Sequence, residues 1–182
     1  SFGMPTAQVL AVDEGFYSTN DILFFNPDSC PISRSTEASS SALQGGDNLE
    51  KILRYYVGKG LTLAQASGIA GNFSRESGFN PAIVQGGVSA TDGYTPVDGT
   101  GFGIAQWTDA GRQAGLVVLS QTSKRSIIDL SLQLDYTWQE LSTNRSAALT
   151  SLKTATTADN AAFVFHRDYE GSADTEEHVL KN

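Results

Sequence analysis

The chain has 182 residues, 40% of them apolar, and its 20 acidic and 12 basic side chains give a formal charge of −8. That length suits one compact domain with an extra segment. Without a Lys/Arg cluster the chain lacks the basic footprint that nucleic acid requires, and no stretch approaches the ~20 apolar residues of a membrane span. Cys30 is the only cysteine, so an internal disulfide is excluded and the compartment stays open. His166 and His178 are read as lacking Cys or acidic partners at ligand spacing, so neither a metal site nor a cofactor is expected. The chain opens on Ser1 with no charged segment leading into an apolar run, which reads as a processed or trimmed form.

Residues 1–32 read as an N-terminal arm. Its "NDILFF" piece is either a strand that docks on the main domain or part of a disordered arm. Residues 33–46, "SRSTEASSSALQGG", are rich in Ser and Gly and read as a flexible linker. From Asp47 to the end at 182 the signals are those of one mainly helical domain.

Asp47 and Glu50 form a capping-box pattern ahead of Leu49, Ile52, Leu53 and Tyr56, and Gly58 and Gly60 mark the stop. Thr62 with Gln65 repeats the pattern and predicts a helix of about four turns that ends at Gly78 and Pro81. Residues 82–104 are crowded with Gly, Thr and Asp and read as a loop or small hairpin. Thr108 is the expected cap of a helix through Leu119. Ser126 with Asp129 caps the next, which carries Ile127, Leu130, Leu134, Trp138 and Leu141 on one face, with Trp138 in the core. A short helix near 146–153 follows, and Thr157 caps a last one with Ala158, Ala161, Phe165 and Tyr169 aligned up to Gly171. The predicted class is α+β, mainly α-helical, with about six helices and a small Gly-rich β-hairpin between the second and third.

One acidic residue stands out in "GIAGNFSRESGFNP", residues 68–81. Ile69, Phe73 and Glu76 follow at i, i+4 and i+7 and share a helix face with Ala66 and Ala70. Partial burial disfavours the charged form of Glu76, and so does its place in the last turn, at the negative end of the helix dipole. A carboxyl held protonated near neutral pH suits a general acid. The other reading of this spacing is a structural carboxylate paired with Lys59 or Arg112, and spacing alone does not choose.

Other chemistries are poorly served. There is no Gly-x-Ser-x-Gly, Cys30 lies far from either histidine, and "GTGFG" (99–103) lacks the spacing and lysine of a phosphate loop. Glycoside cleavage usually pairs two carboxylates. Asp98 in "VDGTGFG" is the preferred second group, with an Asp-Gly turn as its other reading. Asp92 reads as a turn residue, and Asp109 as belonging to a helix start. Trp107 suits stacking on a sugar or packing in a core. Tyr169 suits packing, or a hydroxyl contact to Glu76.

"GNFSRESGFNP", the Gly-rich hairpin, "GFGIAQW" with the following Gly111-Arg112, and "AFVFHRDYE" come in that order over residues 47–171. Together they resemble the lysozyme-like superfamily of lytic transglycosylases and goose-type lysozymes, and within it the phage tail lysozyme family. The resemblance implies a lysozyme-like fold over 47–182 and makes Glu76 the catalytic acid, with Ser77 beside it among the expected substrate-binding residues. Gln106 takes the Gln place of the cleft-floor strand, Trp107 adjoins it, and Tyr169 is the aromatic residue delivered to the site. It implies cleavage of the β-1,4 bond between N-acetylmuramic acid and N-acetylglucosamine in peptidoglycan glycan strands. Two courses remain open: hydrolysis with a second group such as Asp98, or transglycosylation in which one Glu serves as acid and then base. The partner is cell-wall glycan, and the place of action lies outside the cytoplasm, in a phage virion or at a cell surface. An acidic chain gains little steering toward an anionic polymer, which favours delivery by a larger protein or particle. As an isolated domain it is expected to be a monomer. The alternative is a non-catalytic module of the same fold that binds glycan or serves in assembly.

Overall fold

The computed structural model describes residues 16–19, 22–25, 43–173 and 176–181. The chain divides into two units, Ser1–Ser41 and Ala42–Asn182. In the first, β1 (Phe16–Thr19) and β2 (Ile22–Phe25) pair antiparallel, with Phe16 opposite Phe25 and Thr19 opposite Ile22. Strand β2 covers the Ile22–Phe25 part of "NDILFF", which reads as either a docking strand or part of a disordered arm. Cys30 and residues 33–42 of the expected linker lie outside the described residues.

The second unit is mainly helical: α1 (Asn48–Gly58), α2 (Leu63–Ser77), a hairpin of β3 (Ile83–Val84) and β4 (Val88–Ser89), α3 (Ala110–Ser123), α4 (Leu130–Ser142), α5 (Ser146–Thr154), α6 (Ala158–Val164) and α7 (Glu176–Lys181). The small antiparallel hairpin falls between the second and third helices, as the sequence predicts. The caps follow local chemistry. Asp47 accepts from Glu50 N, Thr157 accepts from Asn160 N, and Thr62 with Gln65 closes a full capping box. At α3 the cap is Asp109, one residue past Thr108, because its carboxylate accepts from Arg112 N at 2.9 Å.

Helix α2 runs through the core, with Ala66, Ile69, Ala70 and Phe73 buried. It crosses α6 at Gly68, where an added Cβ would lie 2.5 Å from both Ala161 Cβ and Ala162 N. The buried Asn72 amide clamps this crossing by donating to Gly68 O at 2.9 Å and Ala162 O at 3.0 Å. In an open helix Gly→Ala stabilises by about 1 kcal/mol. Here the obstructing atoms include backbone, which cannot swing aside, so Gly68→Ala is expected to destabilise by about 1–3 kcal/mol, read as a lowered thermal midpoint.

Gln133 of α4 is the other internal brace. Its side chain donates to Pro81 O and Ile127 O and accepts from Ile104 N, tying the segment after the hairpin to the helix core. Gly103 (φ +77) sits against this amide, 2.7 Å from its Oε1 were a Cβ present, so a side chain there is barred twice over. Trp138 departs from expectation. It is half-buried at the margin of the core, beside Tyr56 and with Lys59 Nζ 6.0 Å from its ring. Among the described residues no helix is long and apolar enough to cross a membrane.

Candidate active site

The end of α2 and the segment 101–107 are built as one piece. Gly78 closes the helix in the left-handed region, and the Ser77 hydroxyl, bonded to Phe73 O at 2.8 Å and Ile104 O at 3.0 Å, pins the last turn to that segment. Phe102 and Trp107 face each other in a narrow ladder, each N–H donating to the other's carbonyl, and Phe102 also bridges to Val84 of the hairpin. The turn between them puts Gln106 at φ +43, a conformation uncommon for a residue with a side chain. Its amide holds the turn by donating to Gly103 O at 2.9 Å. Ser77 and the Gln106 amide nitrogen therefore act as fasteners that fix where Glu76 stands.

Glu76 lines a cleft of about 490 Å³, a size suited to a small ligand or one ring of a polymer. Gln106 and Thr108 share its wall with Asp109 and Arg112 of α3, Arg145 before α5, and Glu170. The Glu76 carboxyl is half-buried and held above the ordinary carboxylate range, first by burial and then by the charge of Glu170; His166 and Arg75 pull the other way. Among the described residues it forms no ion pair. Neither suggested partner is available: Arg112 is bound to Glu140, and Lys59 lies over the Tyr55 ring at 4.9 Å.

The remaining predicted site residues fall in different places. Asp98 is exposed and lies outside the cleft lining. Asp92 accepts from the Ser126 hydroxyl at 2.6 Å beside a left-handed Gly93, as befits a turn. Trp107 and Tyr169 are fully buried, with no face open to a sugar. The Tyr169 hydroxyl donates to Glu140, not to Glu76.

Beneath the cleft these two aromatics belong to a buried network centred on Glu140 of α4. Arg112 Nε and Nη2 each reach a Glu140 oxygen at 2.8 Å, and Trp107 Nε1 donates to the same carboxylate at 3.2 Å. The Arg112 guanidinium lies 4.7 Å from the Tyr169 ring centre, and Phe165 stacks on that ring at 4.5 Å. Burial alone lowers the basicity of Arg112, but its bonds to Glu140 outweigh that and hold it above its usual range. The same burial pushes the Tyr169 hydroxyl up, helped by Glu140 and opposed by Arg112.

Sequence reasoning missed Glu140 and left Glu170 without a role. For Glu140 a signal exists: Gln133, Thr137 and Glu140 recur at i, i+4 and i+7, and all three are buried. For Glu170 it is the spacing to His166, and here the reading of His166 as lacking an acidic partner is corrected. The two stand at i, i+4, with Glu170 Oε2 2.6 Å from His166 Nδ1. Both lie on a π-helical turn, Phe165–Glu170, that continues α6 and ends at a left-handed Gly171. Among the described residues no group of three or more His, Cys, Asp or Glu side chains is placed to hold a metal ion.

A helical domain with a short hairpin after its carboxyl-bearing helix, and a cleft at that helix's end, has the build of a lysozyme-like domain. The chain belongs to the phage tail lysozyme family, whose family model matches residues 47–181. No curated protein matches the chain. Membership implies a lysozyme-like, peptidoglycan-degrading domain and an association with phage virions.

Proposed function

We propose that this domain is a muramidase-type glycosidase that cleaves the β-1,4 bond between N-acetylmuramic acid and N-acetylglucosamine in peptidoglycan, with Glu76 as the general acid. One observation carries the reading: a half-buried, ion-pair-free carboxyl, held above its ordinary range, lines a cleft walled by hydrogen-bonding side chains. A carboxyl in that state gives its proton to the bridging oxygen as the C1–O bond breaks. A non-catalytic module of this fold has no need of such a group and is better served by a carboxylate locked to an arginine, which is how Glu140 is held.

Gln106 meets the substrate at the cleft wall, while Trp107 and Tyr169 act from below by holding Arg112 and Glu140 in place. The exposed position of Asp98 disfavours it as the second group and supports a course in which Glu76 works as acid and then as base. The place of action is the cell wall, reached from a phage particle. The test is mass spectrometry of fragments released from purified peptidoglycan. We expect muropeptides cut at the muramic acid side, ending in 1,6-anhydro-muramic acid if the sugar's own hydroxyl attacks and in free reducing ends if water does. A wild-type protein that releases neither from about pH 4 to about pH 8, a span bracketing an ordinary and a raised carboxyl, is a binding module and not an enzyme.

A further inference from the structure

The cleft holds a second unusual carboxylate. Glu170 is the last residue of the π-helical turn, and the turn packs against α2, which carries Glu76. Short π-helical stretches are rare and occur often at functional sites. One Glu170 oxygen is fixed by His166 at 2.6 Å; the other, Oε1, is buried with no hydrogen-bond partner among the described residues. A buried acceptor left without a donor costs stability, and such a group calls for an explanation.

The charges around Glu76 assign Glu170 a task. Asp109 is committed to the cap of α3, and Arg112 is bound to Glu140. Arg145 donates to Asp168 O at 3.4 Å and lies 5.7 Å from the Tyr169 ring. Arg75, beside Glu76 on α2, and His166 act against the proton on Glu76, and Glu170 acts for it.

On the reading of Glu76 as the proton donor, we propose that Glu170, anchored by His166, is the positioning residue of this site: a fixed negative charge that keeps the proton on Glu76 until the glycosidic oxygen takes it. The same charge serves the second half of the reaction. Once Glu76 has protonated the leaving oxygen and the C1–O bond has broken, its carboxylate stands near a second anion and regains a proton readily. The incoming hydroxyl, from water or from the sugar itself, bonds to C1 and leaves its proton on Glu76, which restores the starting state.

The test is the pH profile of kcat/KM for peptidoglycan cleavage by the full chain, wild type beside Glu170→Gln and Glu170→Asp. Gln keeps the size of the side chain and removes its charge. Its alkaline limb is expected to move to lower pH, with kcat/KM down by about fivefold near pH 7 and changed by less than about twofold near pH 5. Asp restores the charge and brings the limb back toward that of the wild type. A residue that merely supports the fold lowers the whole profile without moving its limb, so an unmoved limb in a folded Glu170→Gln overturns the proposal. Should that variant not fold, carboxyl carbon NMR titration of the wild type replaces it. Glu76 titrating above the ordinary carboxylate range is the expected result, and a Glu76 that titrates within that range overturns the proposal. Wild type active, Glu76→Gln inactive and the Glu170→Gln limb unmoved defeats the role of Glu170 alone. A wild type without cleavage defeats the reading of Glu76 itself.

Discussion

Glu76→Gln is expected to lower kcat for glycan cleavage by about 10³-fold, the scale of a positioned general acid, while the fold stays intact. Gln preserves the shape of the side chain and the amphipathic face of α2, and among the described residues Glu76 has no ion pair to lose. Stability responds with a definite sign. A carboxyl whose folded pKa is raised contributes stability that is full below the unfolded pKa and is lost as pH rises through the folded pKa. The wild type is therefore penalised at higher pH and the Gln variant is not. Thermal midpoints measured across a pH series are expected to coincide at low pH and to diverge in favour of Glu76→Gln as pH rises through the raised range. Activity of the wild type falls over that same range, because the ionised acid has no proton to give. A variant that loses activity together with its thermal midpoint assigns Glu76 to the fold instead of the chemistry.

The helix bearing this residue is legible in the sequence because its signals are local. Thr62, Gln65 and Gly78 lie within a few residues of the backbone groups they satisfy, and the period of Ile69, Phe73 and Glu76 is a property of one helix. Cap positions shift by one to three residues, from Thr108 to Asp109 and from Ser126 to Asp129, where the later carboxylate accepts from N–H groups of the first helical turn. Trp138 shares a helical stripe with buried leucines, yet the stripe is wider than the surface that covers it, so the ring sits at the margin.

The partners of Glu76 are not legible in this way. Whether an Asp-Gly segment faces a cleft depends on how the hairpin folds back, and Asp98 ends up exposed. Trp107 and Tyr169, each read as either a site residue or a packing one, are buried, and their polar atoms bond to Glu140, respectively 33 and 29 residues away in the chain. Glu170 lines the cleft from a π-helical turn that follows Val164; its spacing to His166 is legible, but an even helical period does not reveal the turn itself. Local rules place Glu76, and tertiary packing chooses what surrounds it.

That packing gives the largest expected loss of stability, at Arg112. Glu140 is almost wholly enclosed, its side chain 3% exposed, and it accepts from Arg112, Trp107 and Tyr169 together. Arg112→Met keeps most of the apolar stem and removes the cation, leaving a buried carboxylate whose neutral donors do not balance its charge. The expected cost near pH 7 is about 3–5 kcal/mol, a fall in thermal midpoint of roughly 10–15 °C for a domain of this size. Tyr169→Phe removes one hydrogen bond from the same carboxylate and is expected to cost only about 1–2 kcal/mol. The two losses differ in kind, and pH separates them. Removing Arg112 leaves a buried charge without its counterpart, and acid relieves that cost, so the variant is expected to regain part of its stability at low pH, whereas a lost neutral hydrogen bond is not restored by acid. If Arg112→Met instead unfolds with the same deficit at low and neutral pH, the guanidinium serves mainly as packing for the Tyr169 ring. Glu140→Gln with Arg112→Met closes the comparison. Removing both charges is expected to cost less than removing Arg112 alone, because no buried charge is then left without its counterpart.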